Sequence, residues 1–302
     1  MAGRRVNVAM VLLIALHGLL PSSTNAALQD GFYSTSTNCT VDVEAVVRGV
    51  VEQHVSRSGD GGSGAGLIRL HFHDCFVKGC DGSVLIDPSP VNPDPEKASP
   101  ANGGLRGIDV VEEAKRQLEA TCPGTVSCAD ILAFAARDAA YVLSSGAISY
   151  DVPSGRRDGL TSDASDASQS LPPPFAQLDD LVRAFASKGF GIDELPMDPS
   201  YGADMRSRCP EDAGAEERVE QDQATSGDLD GRYFENVLAG RVPFNSDRAL
   251  IDDGETRRMV EENAGDQVEW AAKFAAAMRK MSELTGTAEG EIREFCHVTN
   301  RG

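Results

Sequence analysis

The chain has 302 residues, with 28 Lys or Arg against 47 Asp or Glu, which gives a formal net charge of −19 at pH 7. A surface of this charge repels nucleic acid and anionic membranes, so neither is expected as a partner. The length suits one domain at the upper end of the usual range, with a large buried core.

The first 26 residues are predicted to be a secretory signal peptide. Arg4 and Arg5 precede an apolar run over 6–20, a Pro-Ser-Ser-Thr break follows, and small residues around Ala26 offer a cleavage site. The apolar run is too short to favour a membrane anchor. We therefore expect a secreted protein whose mature domain covers 27–302.

The mature part contains seven cysteines, and the oxidising destination favours disulfides over a metal cluster. Because seven is an odd number, one cysteine has no partner within the chain. The seven are Cys39, Cys75, Cys80, Cys122, Cys128, Cys209 and Cys296.

Apolar residues at helical spacing predict a mainly α fold, and strand signals are sparse and short. A glycine-rich break at 59–66 separates the first two helices, and a long Pro/Asn/Gly loop covers 87–105. Loops of that length in compact domains are usually functional. The predicted helices lie at 41–55, 65–77, 108–121, 127–143, 176–188, 231–239, 247–263 and 268–283.

The stretch 67–87 carries the densest set of reactive side chains. Arg69 and His73 are four residues apart, so on a helix they share one face. The guanidinium disfavours protonation of the imidazole, which leaves the ring able to accept a proton at neutral pH. The guanidinium can also stabilise negative charge on a leaving oxygen. Such a pair suits heterolysis of a peroxide O–O bond over a metal.

Other interpretations of this stretch compete with catalysis. A surface Arg/His pair would carry no chemistry, although the apolar neighbours favour burial. Zinc could bind to His71, His73, Cys75 and Cys80, but the spacing matches no standard structural zinc pattern and the compartment favours oxidation of the two cysteines. His71 points elsewhere on the helix than His73, so packing or hydrogen bonding is its expected role.

These residues resemble the plant secretory haem peroxidases, class III of the plant peroxidase superfamily. The resemblance covers most of the mature chain, and the first of its motifs is highly specific. It rests on 67–87, Ser127-Cys128-Ala129-Asp130, Gly155-Arg156-Arg157-Asp158, Leu171-Pro172-Pro173-Pro174 and the segment 284–296.

The resemblance implies a helical, disulfide-braced peroxidase fold that binds haem b and two calcium ions. It also implies hydrogen peroxide and small aromatic, phenolic-type donors as substrates, a monomer, and a place outside the cell, in the cell wall or the vacuole. The implied disulfides are Cys39–Cys122, Cys75–Cys80 and Cys128–Cys296, and Asp130 is implied to form a structural ion pair with Arg157.

Roles for individual residues follow from the same resemblance. His73 is implied to be the proton acceptor and donor, Arg69 the transition-state stabiliser and Asn102 the residue that orients His73. Phe72 would lie against the haem, and Pro172 would line the donor entrance. The implied distal calcium ligands are Asp74, Val77, Gly79, Asp81, Ser83 and, through water, Glu96, and their carboxylate, hydroxyl and carbonyl oxygens suit calcium.

The chain departs from the family on the proximal side of the haem. The family pattern Ser-Gly-(Ala/Gly)-His-Thr, whose histidine ligates the iron, is absent, and the five histidines at 17, 54, 71, 73 and 297 do not replace it. The helix at 176–188 matches the sequence just before that pattern, whereas 197–201 matches a region well after it. We therefore expect an internal deletion of about 30 residues near 190–200, the length of two to three helices.

Remnants of the missing half are still recognisable. Asp247 matches the carboxylate behind the proximal histidine, and Cys209 is the unpaired cysteine whose partner is lost. The residual proximal calcium ligands are Asp222, Thr225, Asp228 and Asp230. Three hypotheses follow: a peroxidase that removes hydrogen peroxide, as in oxidative stress; a catalytically impaired calcium-binding extracellular protein; and a splice or gene-model variant that folds poorly.

Overall fold

The computed structural model describes residues 27–35, 39–58, 62–190, 222, 224–242, 244–286 and 289–301. The predicted signal peptide, Cys209 and residues 191–200 of the expected deletion junction lie outside the described residues. None of the described helices combines the length and the apolarity that a membrane crossing needs.

The predicted mainly α fold is confirmed, since the described residues form helices and three isolated β-bridges. Short 3-10 turns cover Ser83–Leu85, Glu96–Ala98 and Pro100–Asn102. The helices are α1 (Phe32–Thr35), α2 (Val43–Ser58), α3 (Gly62–Lys78), α4 (Ile108–Thr121), α5 (Cys128–Leu143), α6 (Ala164–Ser170), α7 (Leu178–Ala186), α8 (Arg232–Leu238), α9 (Asn245–Ala249), α10 (Gly254–Gly265) and α11 (Gln267–Ser282).

The four-residue helix α1 was not predicted. Two further helix predictions needed correction, and both of these errors have local causes. The single helix predicted over 247–263 is two helices, α9 and α10. The side chain of Asp253 accepts hydrogen bonds from the backbone N–H groups of Glu255 and Thr256, which starts a new helix there. Helix α6 was missed because its sequence is polar; Asp163 caps it by accepting from the backbone N–H of Ser165.

The main core forms where α2, α3, α4 and α5 pack together. Helix α5 is central, with Ile131, Leu132 and Phe134 fully buried and a series of buried alanines that let neighbouring helices approach closely. Each large apolar side chain of this kind contributes about 1.5–3 kcal/mol of stabilisation on burial. This core fixes the position of α3, which carries the reactive stretch.

The three disulfides join the pairs that the resemblance implied. Cys39–Cys122 links the segment before α2 to the end of α4, and Cys75–Cys80 closes the turn after α3. Cys128–Cys296 ties the start of α5 to a residue 168 positions later. The C-terminal segment therefore lies against the start of α5. It also crosses the turn after α3, where Thr285 forms a β-bridge with Cys80 and Arg293 donates to the Gly82 carbonyl.

Asp130 pairs with Arg156, and not with Arg157 as the resemblance implied. The Nη1 atom of Arg156 lies 2.6 Å from Oδ1 of Asp130, and both side chains are buried. The hydroxyl of Tyr33 donates to Oδ2 of Asp130 at 2.6 Å. Side chains at 156–158 alternate in direction, so Arg156 and Asp158 face inward while Arg157 is exposed.

This alternation predicts opposite outcomes for two adjacent arginines. Arg156→Met should lower the free energy of unfolding by about 3–5 kcal/mol, because it leaves the Asp130 carboxylate buried without its charge partner. Arg157→Met is the matched control and should change stability by no more than about 0.5 kcal/mol. Urea unfolding followed by circular dichroism measures both. Equal losses for the two variants would show that the pairing is wrong.

Candidate active site

The imidazole of His73, near the end of α3, is held by a chain of hydrogen bonds. Nδ1 of His73 lies 2.6 Å from Oδ1 of Asn102, and the Asn102 amide nitrogen donates to the Glu96 carbonyl at 2.7 Å. Because the amide nitrogen is used by Glu96, the amide oxygen faces the imidazole and must accept. Nδ1 of His73 therefore carries the proton, and Nε2 keeps its lone pair.

Arg69 lies one helical turn before His73 on the same face, as the spacing predicted. Its Nε donates to Nε2 of His73 at 3.3 Å, and its Nη2 donates to the carbonyl of Gly103 at 3.3 Å. The guanidinium thus stands beside the nitrogen that has the lone pair. A small polar molecule at this point would meet a proton acceptor and a fixed positive charge together.

The surroundings of His73 keep its imidazole neutral. Burial lowers the pKa of His73 from 6.5 to about 4; the hydrogen bond with Asn102 opposes this fall, and the charge of Arg69 adds to it. At pH values above about 5 the imidazole can therefore accept a proton at Nε2.

An aromatic wall lies beside the pair. The ring of Phe72 is 4.8 Å from that of Phe76 and is stacked on Phe185 of α7 at 6.0 Å. Phe190 packs edge-on against Phe185. Pro172 is partly exposed in the loop before α7. The structure therefore brings α7, which the sequence placed next to the expected deletion, directly against the reactive face of α3.

The turn after α3 gathers three carboxyl groups in the interior. Asp74 and Glu96 are fully buried, and Asp81 is 6% exposed. Ser83 donates its hydroxyl proton to Glu96 at 2.9 Å, and the backbone N–H of Gly82 donates to Asp74 at 3.0 Å. Oδ1 of Asp74 and Oε2 of Glu96 are buried and have no hydrogen-bond partner.

The pKa values show how unfavourable this arrangement is without a cation. Burial raises the pKa of Asp74 well above its usual value, and the charge of Asp81 raises it further. Burial likewise raises the pKa of Glu96 to about 7. A hard divalent cation would neutralise the carboxyl groups and satisfy the partnerless oxygens. The residues implied for the distal calcium therefore fit that ion.

Two backbone carbonyls were implied for the same ion. The Val77 carbonyl accepts a hydrogen bond from Nζ of Lys188 at 2.9 Å and retains a second lone pair. Gly79 has φ +92°, and a Cβ on it would lie 2.3 Å from the backbone of Thr285. Only glycine fits there, because the C-terminal segment crosses so close to the turn.

The residual proximal calcium residues do not form a comparable site. Asp222 accepts hydrogen bonds from the Ala224 N–H, the Thr225 hydroxyl and the Asn236 amide. Burial acts to raise the pKa of Asp222, but the hydrogen bonds, led by that of Thr225, lower it overall. Asp228 is exposed, and Asp230 accepts from the N–H of Arg232. The carboxylate of Asp222 is occupied by protein donors, so these residues do not fit a cation.

Asp247 is fully buried in α9, and the Tyr233 hydroxyl lies 3.3 Å from its Oδ1. Sequence reasoning missed Tyr233, which precedes Asp247 by 14 residues and gives no local signal.

The histidines other than His73 that the structure describes lie elsewhere. His54 is 3.9 Å from Asp109, and Nδ1 of His297 is 2.9 Å from Glu112.

His71 has a separate environment on the opposite side of α3. Its Nε2 is 3.1 Å from the Ser282 hydroxyl. Burial and the charge of Arg156 lower the pKa of His71 to about 3, so the ring is neutral. The four-residue zinc interpretation is not supported, because His73 faces Asn102 and the sulfurs of Cys75 and Cys80 are bonded to each other.

Sequence reasoning also missed two residues that brace the turn after α3. Arg293 is fully buried and donates to the carbonyls of Gly82 at 2.7 Å and Gly159 at 2.8 Å. The Ser162 hydroxyl donates to the Ser83 carbonyl at 2.8 Å. Both act across long sequence separations, which a single sequence does not reveal.

The chain belongs to the peroxidase family, in its plant secretory class III branch. The family model described as peroxidase matches residues 47–196 and 193–266. Peroxidase 2 of Zea mays is 40% identical, over 97% of this chain and 95% of its own length. Peroxidase 5 of Vitis vinifera is 40% identical, over 99% and 100%, and peroxidase 39 of Arabidopsis thaliana is 34% identical, over 98% and 99%. Members of the family are haem oxidoreductases that act on hydrogen peroxide.

The comparisons also bear on the expected deletion. The two matched segments of the family model meet at 193–196, within the region where we expect the missing residues. The alignment with the Vitis vinifera relative spans 337 positions, whereas this chain has 302 residues. At least 35 aligned positions of that relative therefore have no counterpart here.

Calcium binding at the turn after α3 can be tested by stability. Calcium at 100 times its Kd should stabilise the chain by about 2.7 kcal/mol and raise the thermal unfolding midpoint by about 5 °C or more. Asp74→Asn should abolish this rise, because it removes a charged ligand from the buried cluster. Asp222→Asn is the matched control and should keep it. A rise that is lost only in the Asp222 variant would place the ion on the proximal side.

Proposed function

We propose that this chain is a secreted peroxidase whose distal side, made by His73, Arg69 and Asn102, cleaves hydrogen peroxide by acid–base chemistry. The observation that carries the proposal is the hydrogen bond between Nδ1 of His73 and Asn102, which leaves the lone pair of Nε2 beside Arg69. The second substrate is a small phenolic donor that enters near Pro172.

The chemistry of the distal residues follows from their atoms. Nε2 of His73 accepts the proton of one peroxide oxygen, and the resulting imidazolium returns it to the other oxygen, which leaves as water. The guanidinium of Arg69 stabilises negative charge on the departing oxygen. Asn102 keeps Nδ1 protonated, so the ring always presents the same nitrogen to the substrate. Haem, when bound, supplies the redox-active iron and the electrons for O–O cleavage.

The distal residues His73, Arg69 and Asn102 suit a haem enzyme, but two features do not fit the group. The ring of Phe72, which the resemblance places against the haem, is stacked on Phe185, and the chain offers no axial ligand. No histidine occurs between His73 and His297 in the sequence. We propose that an internal segment of about 30 residues, the length of two to three helices, is missing near 190–200 and that the axial histidine went with it. Asp247 then marks the place of the lost imidazole, and Cys209 lost its partner in the same event.

The lack of an axial histidine favours a second candidate function. In this case the chain is a calcium-binding extracellular protein that retains the distal calcium site and does not turn over peroxide. The mature chain should be incubated with haem, and its Soret absorption and guaiacol oxidation recorded. A stoichiometric band together with peroxide-dependent oxidation supports the peroxidase. Absence of the band, with calcium binding retained, supports the second candidate, because the loss of the axial imidazole weakens haem retention.

The third hypothesis, a poorly folding variant, is tested by the same preparation. A cooperative thermal unfolding transition of the mature chain would contradict it, because a chain without a packed core unfolds without cooperativity. Reading the transcript across 191–196 shows whether the junction is present in the messenger RNA. Sequencing reads that run continuously through these codons would show that the messenger RNA itself lacks the segment, and so does the protein.

The acid–base role of His73 predicts a pH profile for a haem-loaded version of the chain in which the missing segment with the axial histidine has been restored. Only the neutral imidazole accepts a proton, so the rate of reaction with peroxide should be flat above pH 5 and fall about tenfold per pH unit below about 4. His73→Ala should lower this rate by about 100- to 10,000-fold at pH 7. His54→Ala, which removes a histidine paired with Asp109, is the control and should leave it unchanged. A His73→Ala variant as fast as its parent would show that the acid–base assignment is wrong.

A further inference from the structure

A lysine that follows α7 contacts one of the atoms implied for calcium. Nζ of Lys188 donates to the Val77 carbonyl at 2.9 Å. We propose that Lys188 lowers the calcium affinity of the turn after α3, because its ammonium group and the ion share this carbonyl oxygen. Calcium in turn weakens the contact of Lys188 with α3. The proposal rests on the calcium site that the proposed function retains.

The carbonyl of Val77 lies where a helix attracts cations. Val77 is in the last turn of α3, which ends at Lys78. The last four carbonyls of a helix have no intrahelical partner, and the helix dipole gives this end a partial negative charge. A carbonyl oxygen also has two lone pairs, so a lysine and a metal ion can contact it together. The end of α3 therefore offers one acceptor to two cations.

The end of α7 fixes the position of Lys188. Gly189 has φ +84°, and the N–H of Phe190 donates to the Phe185 carbonyl at 3.1 Å, which closes the C-terminal turn of α7. The Nζ atom of Lys188 lies 5.6 Å from the centroid of the Phe76 ring, a cation–π distance. The ammonium group is thus held beside α3 by the backbone of α7 and by an aromatic face.

The charge of Lys188 has no carboxylate partner in the part of the chain that the structure describes, where its ammonium group contacts a carbonyl and a ring. Two other lysines close to the turn differ in this respect. Lys78 pairs with Asp166, and Lys97 pairs with Asp87. Lys188 therefore presents a positive charge to the end of α3 that no neighbouring acid offsets.

The repulsion between two cations on one oxygen is large enough to measure. Calcium binds oxygen at about 2.3–2.6 Å, so the ion and an ammonium group on the same carbonyl stand about 4–5 Å apart. Like charges at this distance repel each other at a protein surface. Coupling between two bound groups typically changes affinity by about 5- to 150-fold, and the change is reciprocal. Calcium must therefore weaken the Lys188 contact by the factor by which Lys188 weakens calcium binding.

Calcium titration of the mature chain by calorimetry at low ionic strength tests the proposal. Lys188→Met removes the charge and keeps the apolar stem over Phe76, so the Kd for calcium should fall at least about fivefold. Lys188→Arg keeps the charge and should retain the parental Kd. Lys280→Met is the matched control, because Nζ of Lys280 also lies over a ring, that of Phe190, at 5.0 Å. High salt should reduce the gain of Lys188→Met, because it screens the repulsion.

The outcomes separate the role of Lys188 from the calcium site itself. A parent chain that binds no calcium would refute both. A parent that binds calcium, with a Lys188→Met variant that binds it equally well or more weakly, would refute the role of Lys188 alone. An equal gain in Lys280→Met would also refute that role, since the effect would then not depend on the Val77 carbonyl.

A measurement on the unmodified chain decides the question if Lys188→Met loses its helical circular dichroism. The lysines are acetylated with acetic anhydride, and mass spectrometry compares the rate at each lysine with and without calcium. Because calcium weakens the contact with Val77, the rate at Lys188 should rise when calcium is added, whereas the rate at Lys280 should not. An unchanged or lower rate at Lys188, in a chain that binds calcium, would overturn the proposal.

Discussion

The burial of three carboxyl groups around the turn that follows α3 constrains the whole distal side. Asp74, Asp81 and Glu96 lie in the interior, where charge is costly, and only part of their oxygen atoms find protein donors. Glu96 contacts both sites: its side-chain carboxylate belongs to this cluster, and its backbone carbonyl accepts a hydrogen bond from the Asn102 amide. Asn102 in turn fixes the proton on His73. The cation site and the imidazole are thus two hydrogen bonds apart.

The two sets of residues implied for calcium differ in how their carboxylate oxygens are satisfied. Asp74 and Glu96 retain buried oxygens without donors, which is the signature of a place built around a ligand. Asp222 instead receives four protein hydrogen bonds, from the backbone N–H groups of Ala224 and Thr225, the Thr225 hydroxyl and the Asn236 amide. The carboxylate of Asp222 is thus satisfied by protein donors, unlike the carboxyl groups of Asp74 and Glu96.

Local patterns predicted most of the fold. Helix α4 has the predicted bounds because its amphipathic repeat is strong and uninterrupted. Helix α3 begins three residues earlier and ends one residue later than predicted, and α5 begins one residue later. The division between α9 and α10 was missed because it depends on one capping side chain, Asp253.

Within the site, the pairing of Arg69 with His73 could be predicted because both lie on one helix. The contacts of Tyr233, Arg293 and Arg156 could not, because they join distant segments and depend on which side of an extended chain a residue faces.

The close passage of the C-terminal segment over Gly79 has a consequence for folding order. Arg293 braces Gly82 across 211 positions, and Cys296 closes its bond to Cys128 across 168. Contacts of such separation form late, since the intervening loop must be closed first. During synthesis, the turn after α3 therefore stays exposed to solvent, without the contacts of Arg293 and Cys296, until nearly the whole domain has emerged from the ribosome. The segment that carries Arg69 and His73 is thus synthesised early, but its contacts with the C-terminal segment form last.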